Sequence, residues 1–170
     1  MHDFILPRMR RAHATLVMTL RAGVVVALTD GLWAVTLWTV VLQKSSASRV
    51  FQGIARALLG DAAFTGGTVT TVVGVAMHLA VACGWAAAYA LALRHSRAVR
   101  RTVSACGPLL TGAVIGAVVW TVMDLLVLPL TRARATPVAS TMFAVNLVGH
   151  MLFVGLPLAL LVRERGDWCR

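Results

Sequence analysis

Four apolar stretches decide what this chain can become. They run over about 22–42, 68–93, 107–130 and 138–162, each at least as long as the roughly 20 residues a helix needs to cross the hydrocarbon core of a bilayer. With their connections they use almost the whole chain of 170 residues, so no room remains for a separate catalytic domain. Composition points the same way. The chain is 59% hydrophobic and 13% charged, with a mean hydropathy of +0.82, against roughly 45–50% apolar and 25% charged residues in soluble domains. A water-soluble fold cannot hide so much apolar surface. The reading is therefore all-α: one integral membrane domain over 1–170, built as a four-transmembrane-helix bundle.

The segment between the first two stretches differs in kind. Val50, Phe51, Ile54, Ala57 and Leu58 recur at helical spacing, with Arg49, Gln52, Arg56 and Asp61 on the other side. That pattern predicts a short interfacial amphipathic helix over about 48–60, lying along the membrane surface. Gly66 and Gly67 punctuate the chain before the second span. Arg94, His95, Arg97, Arg100 and Arg101 read as a short basic loop, Pro129 falls in the last turn of the third span, and Thr131 to Pro137 reads as a turn. Ser45-Ser46-Ala47 after the first stretch would suit a cleaved signal peptide, but a signal's apolar core is typically only ~7–15 residues, shorter than this one.

The net charge of +10 does not indicate nucleic acid, because the arginines sit at the ends of apolar runs and form no basic face. They set topology instead. Arg8, Arg10, Arg11, Arg21, the four arginines from Arg94 to Arg101, and Arg163, Arg165 and Arg170 lie on one side; Lys44, Arg49, Arg56, Arg132 and Arg134 lie on the other. Basic residues are retained in the cytoplasm, which predicts both termini there. Cys83, Cys106 and Cys169 form no CxxC and lie within apolar segments or the tail, so neither a disulfide framework nor a zinc site is indicated.

An ionisable group within a span costs about 2.5–3.5 kcal/mol on insertion scales, and each therefore requires an account. Asp30, His78 and His150 fall near the middle of spans one, two and four, and Asp124 lies about 9 Å nearer the non-cytoplasmic face at 1.5 Å per residue. Asn146 shares the face of His150, and Gly112, Gly116, Trp120 and Asp124 follow at i+4 along span three. These side chains are expected to turn inward and form an intramembrane polar site: Asp30, His78, Asp124, Asn146 and His150. Three uses are open. The groups satisfy one another as interhelical glue, they handle protons or a small ion, or His78 and His150 hold a haem or, joined by Asp30 or Asp124, a transition metal. Gly112-xxx-Gly116 matches the small-residue packing motif of membrane helices. Trp33, Trp38, Trp85 and Trp120 are interfacial anchors or core fillers. No phosphate loop, nucleophile elbow, HExxH or dinucleotide fingerprint occurs, and no catalytic residue is assigned.

The run from Val50-Phe51-Gln52-Gly53-Ile54-Ala55 through Leu59-Gly60-Asp61-Ala62-Ala63-Phe64-Thr65-Gly66-Gly67, then Met77-His78-Leu79, resembles small bacterial inner-membrane proteins of uncharacterised function. More distantly, His78 with Tyr89, Pro129-Leu130 and Gly149-His150 make the chain similar to the YagU-like family, which is linked to acid resistance. The likeness covers most of 50–160 and has no counterpart for Asp30. It implies a four-helix protein of the bacterial inner membrane, with an acid-stress role by analogy alone. The resulting expectation is a non-enzymatic membrane protein with a polar core site that handles protons or a small solute. A haem- or metal-binding redox protein and an accessory subunit of a membrane complex are the alternatives. Expected partners are the lipid bilayer and a second copy or another membrane protein, without nucleic acid.

Overall fold

The computed structural model describes residues 2–162, with side chains from His13 onward. Among the described residues every regular element is helical. Helix α1 spans His2–Val35 and continues as a π-helical stretch, Thr36–Val41. Helix α2 spans Ala47–Leu59 and ends in a 3-10 turn, Gly60–Phe64. Helix α3 spans Gly67–His95 and α4 spans Arg97–Val122, which runs on through a π-helical stretch, Met123–Val127, and a 3-10 turn, Leu128–Leu130. Helix α5, Thr141–His150, is joined to α6, Leu156–Leu161, by the π-helical stretch Met151–Gly155. The result is four rods long and apolar enough to cross a membrane, at His13–Val41, Gly67–His95, Arg97–Leu130 and Thr141–Leu161. The chain is the expected all-α four-helix bundle.

Its packing inverts that of a soluble domain. The core is largely small, with Ala22, Ala82, Ala86 and Ala90 buried around Val26, Tyr89 and Leu158, while Leu28, Leu32, Leu109 and Leu126 point outward. In water each exposed leucine would forgo about 25 cal/mol per Å² of apolar surface; against acyl chains it loses nothing. Small residues inside let the helices approach closely. The seam between α4 and the fourth rod shows this best. A Cβ on Gly116 would overlap the His150 carbonyl, and one on Gly112 would lie 2.7 Å from Leu156 Cα. The outward leucines and the glycine seam identify a membrane protein.

The helix borders differ from the sequence reading in three places. The basic segment 94–101 is helical on both sides of Ser96. That residue caps the start of α4, its hydroxyl accepting from the Val99 N–H, while the Arg100 guanidinium donates to the Leu93 and Arg94 carbonyls at the end of α3. A cation on a helix C-terminus is favourable, so basic residues that read as a loop are cap and helix together. Within α4, Gly107 takes φ +69° ahead of Pro108, a left-handed conformation that suits glycine, and the chain kinks where the third span was expected to begin. Residues 138–140 belong to the preceding turn, since Ser140 is the N-cap of α5.

Helix α2 lies against α3. Gln52, expected on its polar side, is buried and donates from Nε2 to the Gly67 carbonyl at 3.0 Å and to Thr70 Oγ1 at 3.4 Å. Gly74 admits the close approach, since a Cβ there would overlap the Phe51 carbonyl. The end of α2 is in turn tied to the 131–140 connection, where the Arg132 N–H donates to the Ala57 carbonyl at 3.1 Å.

Candidate functional site

Asp30 on α1 and His78 on α3 face each other. His78 Nε2 lies 3.0 Å from the Ala27 carbonyl oxygen and 3.9 Å from Asp30 Oδ2. The pair is mostly enclosed, with side-chain exposures of 16% for His78 and 14% for Asp30. Phe51, reaching in from α2, stands edge-on to the imidazole with ring centroids 6.2 Å apart. The other carboxylate oxygen, Asp30 Oδ1, is buried and has no hydrogen-bond partner. Beside it lies a cavity of about 50 Å³ lined by Asp30, His78, Ala82, Trp85, Val119 and Met123. One water needs roughly 10–15 Å³ of such space together with polar partners, so the cavity has room for water next to both ionisable groups.

The other three residues are engaged elsewhere. Asp124, in the π-helical stretch after α4, is 0% exposed. Its Oδ1 accepts the Thr136 N–H at 3.0 Å, and its Oδ2 is buried without a partner. His150 turns back on its own helix, with Nδ1 2.9 Å from the Asn146 carbonyl oxygen, and its ring packs against Trp120 at 4.7 Å between centroids. Asn146 Nδ2 donates to the Met142 carbonyl at 2.9 Å. Among the described residues no hydrogen bond or ion pair joins Asp124, Asn146 or His150 to Asp30 or His78, so the five do not form one continuous hydrogen-bonded track. Nor do three His, Cys, Asp or Glu side chains among the described residues stand together as a metal-ligand set.

What connects the two sides is α1. Pro157 lacks an N–H, which releases the Phe153 carbonyl four residues earlier; that oxygen takes the Thr29 hydroxyl at 2.6 Å. Trp33 stacks on Phe153 with centroids 5.1 Å apart. The stretch of α1 from Ala27 to Trp33 thus meets His78 on one flank and the turn after His150 on the other. Trp33 and Trp120 are core fillers, their indole nitrogens buried without a hydrogen-bond partner. Thr29, Phe51 and Trp85 were not among the expected site residues. The proline at i+4 from Phe153 was the sequence signal for Thr29, whereas Phe51 and Trp85 carry none that separates them from other aromatics.

Compared with protein families, with curated proteins and with solved structures, the chain matches none. The functional reading therefore rests on the geometry of the bundle. A buried oxygen without a partner costs about 1–3 kcal/mol unless water, a proton or a cation completes it, and Asp30 presents such an oxygen beside a histidine at a water-sized cavity.

Proposed function

We propose that the chain is a non-enzymatic membrane protein whose Asp30–His78 pair takes up and releases protons, or coordinates a small polar solute, at a hydrated site inside the bundle. The single observation that carries this is the unpartnered Asp30 Oδ1 beside His78 at the cavity. Imidazole and carboxylate are the side chains that exchange protons in pumps and conduits, and water in the cavity would link them. In this reading the membrane is the bacterial inner membrane and both termini are cytoplasmic, following the excess of arginines in 1–21, 94–101 and 163–170. The resemblance to YagU-like proteins, with their link to acid resistance, supports the same reading by analogy.

Proteoliposomes holding the full chain and a lumenal pH dye test it. They are expected to dissipate an imposed proton gradient faster than protein-free vesicles. H78A and D30N should each lower that excess rate by about tenfold or more, which corresponds to roughly 1.4 kcal/mol of added barrier, while the circular dichroism of the helices stays unchanged. Wild-type flux equal to empty vesicles, or variants that fold and conduct as the wild type does, would overturn proton handling by this pair.

A further inference from the structure

A second concave site lies at the end of the first rod, away from the Asp30–His78 cavity. A groove of about 360 Å³ opens between the turn after Val41 and α2, and its walls include Trp38, Lys44, Ser45, Arg49, Val50 and Phe64. We propose that this groove binds a phosphate group, carried on an anionic lipid headgroup or on a free phosphate compound, with Lys44 and Arg49 as its cationic ligands. The lining holds two cations and no acidic residue. Neither cation has a carboxylate partner among the described residues, whereas Arg56, the next basic residue of α2, is held by Asp61 at 2.6 Å. Unpaired charge is thus confined to the groove side of this helix.

The Arg49 side chain and the backbone that carries Lys44 are each held by their surroundings. The Arg49 guanidinium lies over the Phe64 ring, 5.4 Å from its centroid. No hydrogen bond or ion pair of the Arg49 guanidinium competes with that contact among the described residues, and a guanidinium offers the fork of N–H donors that matches phosphate oxygens. Lys44 stands on a closed turn, in which the Lys44 and Ser45 N–H groups both donate to the Trp38 carbonyl, at 3.0 and 3.2 Å. The turn is made by Gln43 at φ +51°, the one non-glycine residue with positive φ among the described residues. The groove also meets the N-terminal end of α2, capped by Ser46, whose partial positive charge favours an anion. Trp38, in the last turn of the rod, suits the headgroup level of a bilayer, and Val50 and Trp38 supply an apolar wall for the first carbons of a glycerophospholipid.

Native mass spectrometry of the full chain in detergent, doped with equimolar phosphatidylglycerol and phosphatidylcholine, tests the assignment. The wild type is expected to retain phosphatidylglycerol in preference, and K44Q and R49Q each to weaken that retention about fivefold. Gly53 also lines the groove and nothing lies within 4 Å of a Cβ there, so G53L keeps every charge but fills the groove, and it should weaken retention too. R134Q removes the same charge from the exposed 131–140 connection and should leave retention as it is. Displacement of the lipid by millimolar inorganic phosphate or glycerol phosphate supports the free-phosphate source; resistance to both supports the headgroup. Equal retention of the two lipids by the wild type, unchanged retention in the double variant K44Q/R49Q and in G53L, or an equal loss in R134Q would overturn the site.

Discussion

Asp124 is buried completely, yet only one of its carboxylate oxygens is used. That oxygen receives the Thr136 N–H and so holds the 131–140 connection against the end of the bundle. Removing the acceptor leaves the amide without a partner, at a cost of about 1–3 kcal/mol. D124L is therefore expected to speed hydrogen exchange at the Thr136 amide by about one to two orders of magnitude, while D124N, which keeps a carbonyl oxygen for the bond, changes it much less. Exchange at Thr136 that is the same in D124L and the wild type would show that the loop is held by other contacts. At this scale the sequence already marked the residues of interest, because an ionisable side chain in an apolar run is conspicuous by its insertion cost. It did not show which would meet. That depends on the rotation of each rod about its axis, and a rod apolar all round offers no stripe from which to read rotation. Asp30 and His78 face each other, whereas His150, equally conspicuous in the sequence, turns to Trp120 and its own helix.

The helices owe their irregularities to identifiable residues. Pro129 and Pro157 each follow a π-helical stretch, Met123–Val127 and Met151–Gly155, as expected where a proline cannot supply the next N–H. One of the freed carbonyls becomes the acceptor for Thr29, so a break in one rod becomes a link to another. Rod existence was legible because length and apolarity suffice for it. The borders near Ser96 and Ser140 were not, since the same polar residues serve as loops and as caps. The α4 seam follows from Gly112, Gly116 and Gly155, and it yields a sharp expectation. G116L would drive a side chain into the His150 carbonyl and push the fourth rod away. It should lower stability by at least the ~1–3 kcal/mol typical of overpacking, read as an earlier midpoint in a denaturant titration of the detergent-solubilised protein. G84A, whose added Cβ meets nothing within 4 Å, should leave the midpoint unchanged or raise it slightly. Equal midpoints for wild type and G116L would mean that the seam tolerates separation.

For the molecule as a whole, the even number of rods puts both ends of the bundle on one side of the bilayer if each crosses it once. Which side is decided by charge. The segments 1–21, 94–101 and 163–170 together carry eleven of the sixteen basic residues, against five at Lys44, Arg49, Arg56, Arg132 and Arg134. Some of these charges have local duties that do not weaken the bias. Arg100 closes the end of α3 and Arg56 pairs with Asp61, so discounting both leaves ten against four. The surplus of short-segment arginines is the quantity that sets orientation. The expectation is that a fluorescent protein fused at Arg170 glows and an alkaline phosphatase fused there stays inactive, with the same pair of results at Met1. Phosphatase activity at both ends would invert the protein, and activity at one end alone would mean that one rod does not cross. In the expected orientation the groove bearing Lys44 and Arg49 opens to the non-cytoplasmic leaflet. Its two unpaired cations then sit on the side where basic residues are disfavoured, a placement explained by an anion bound between them.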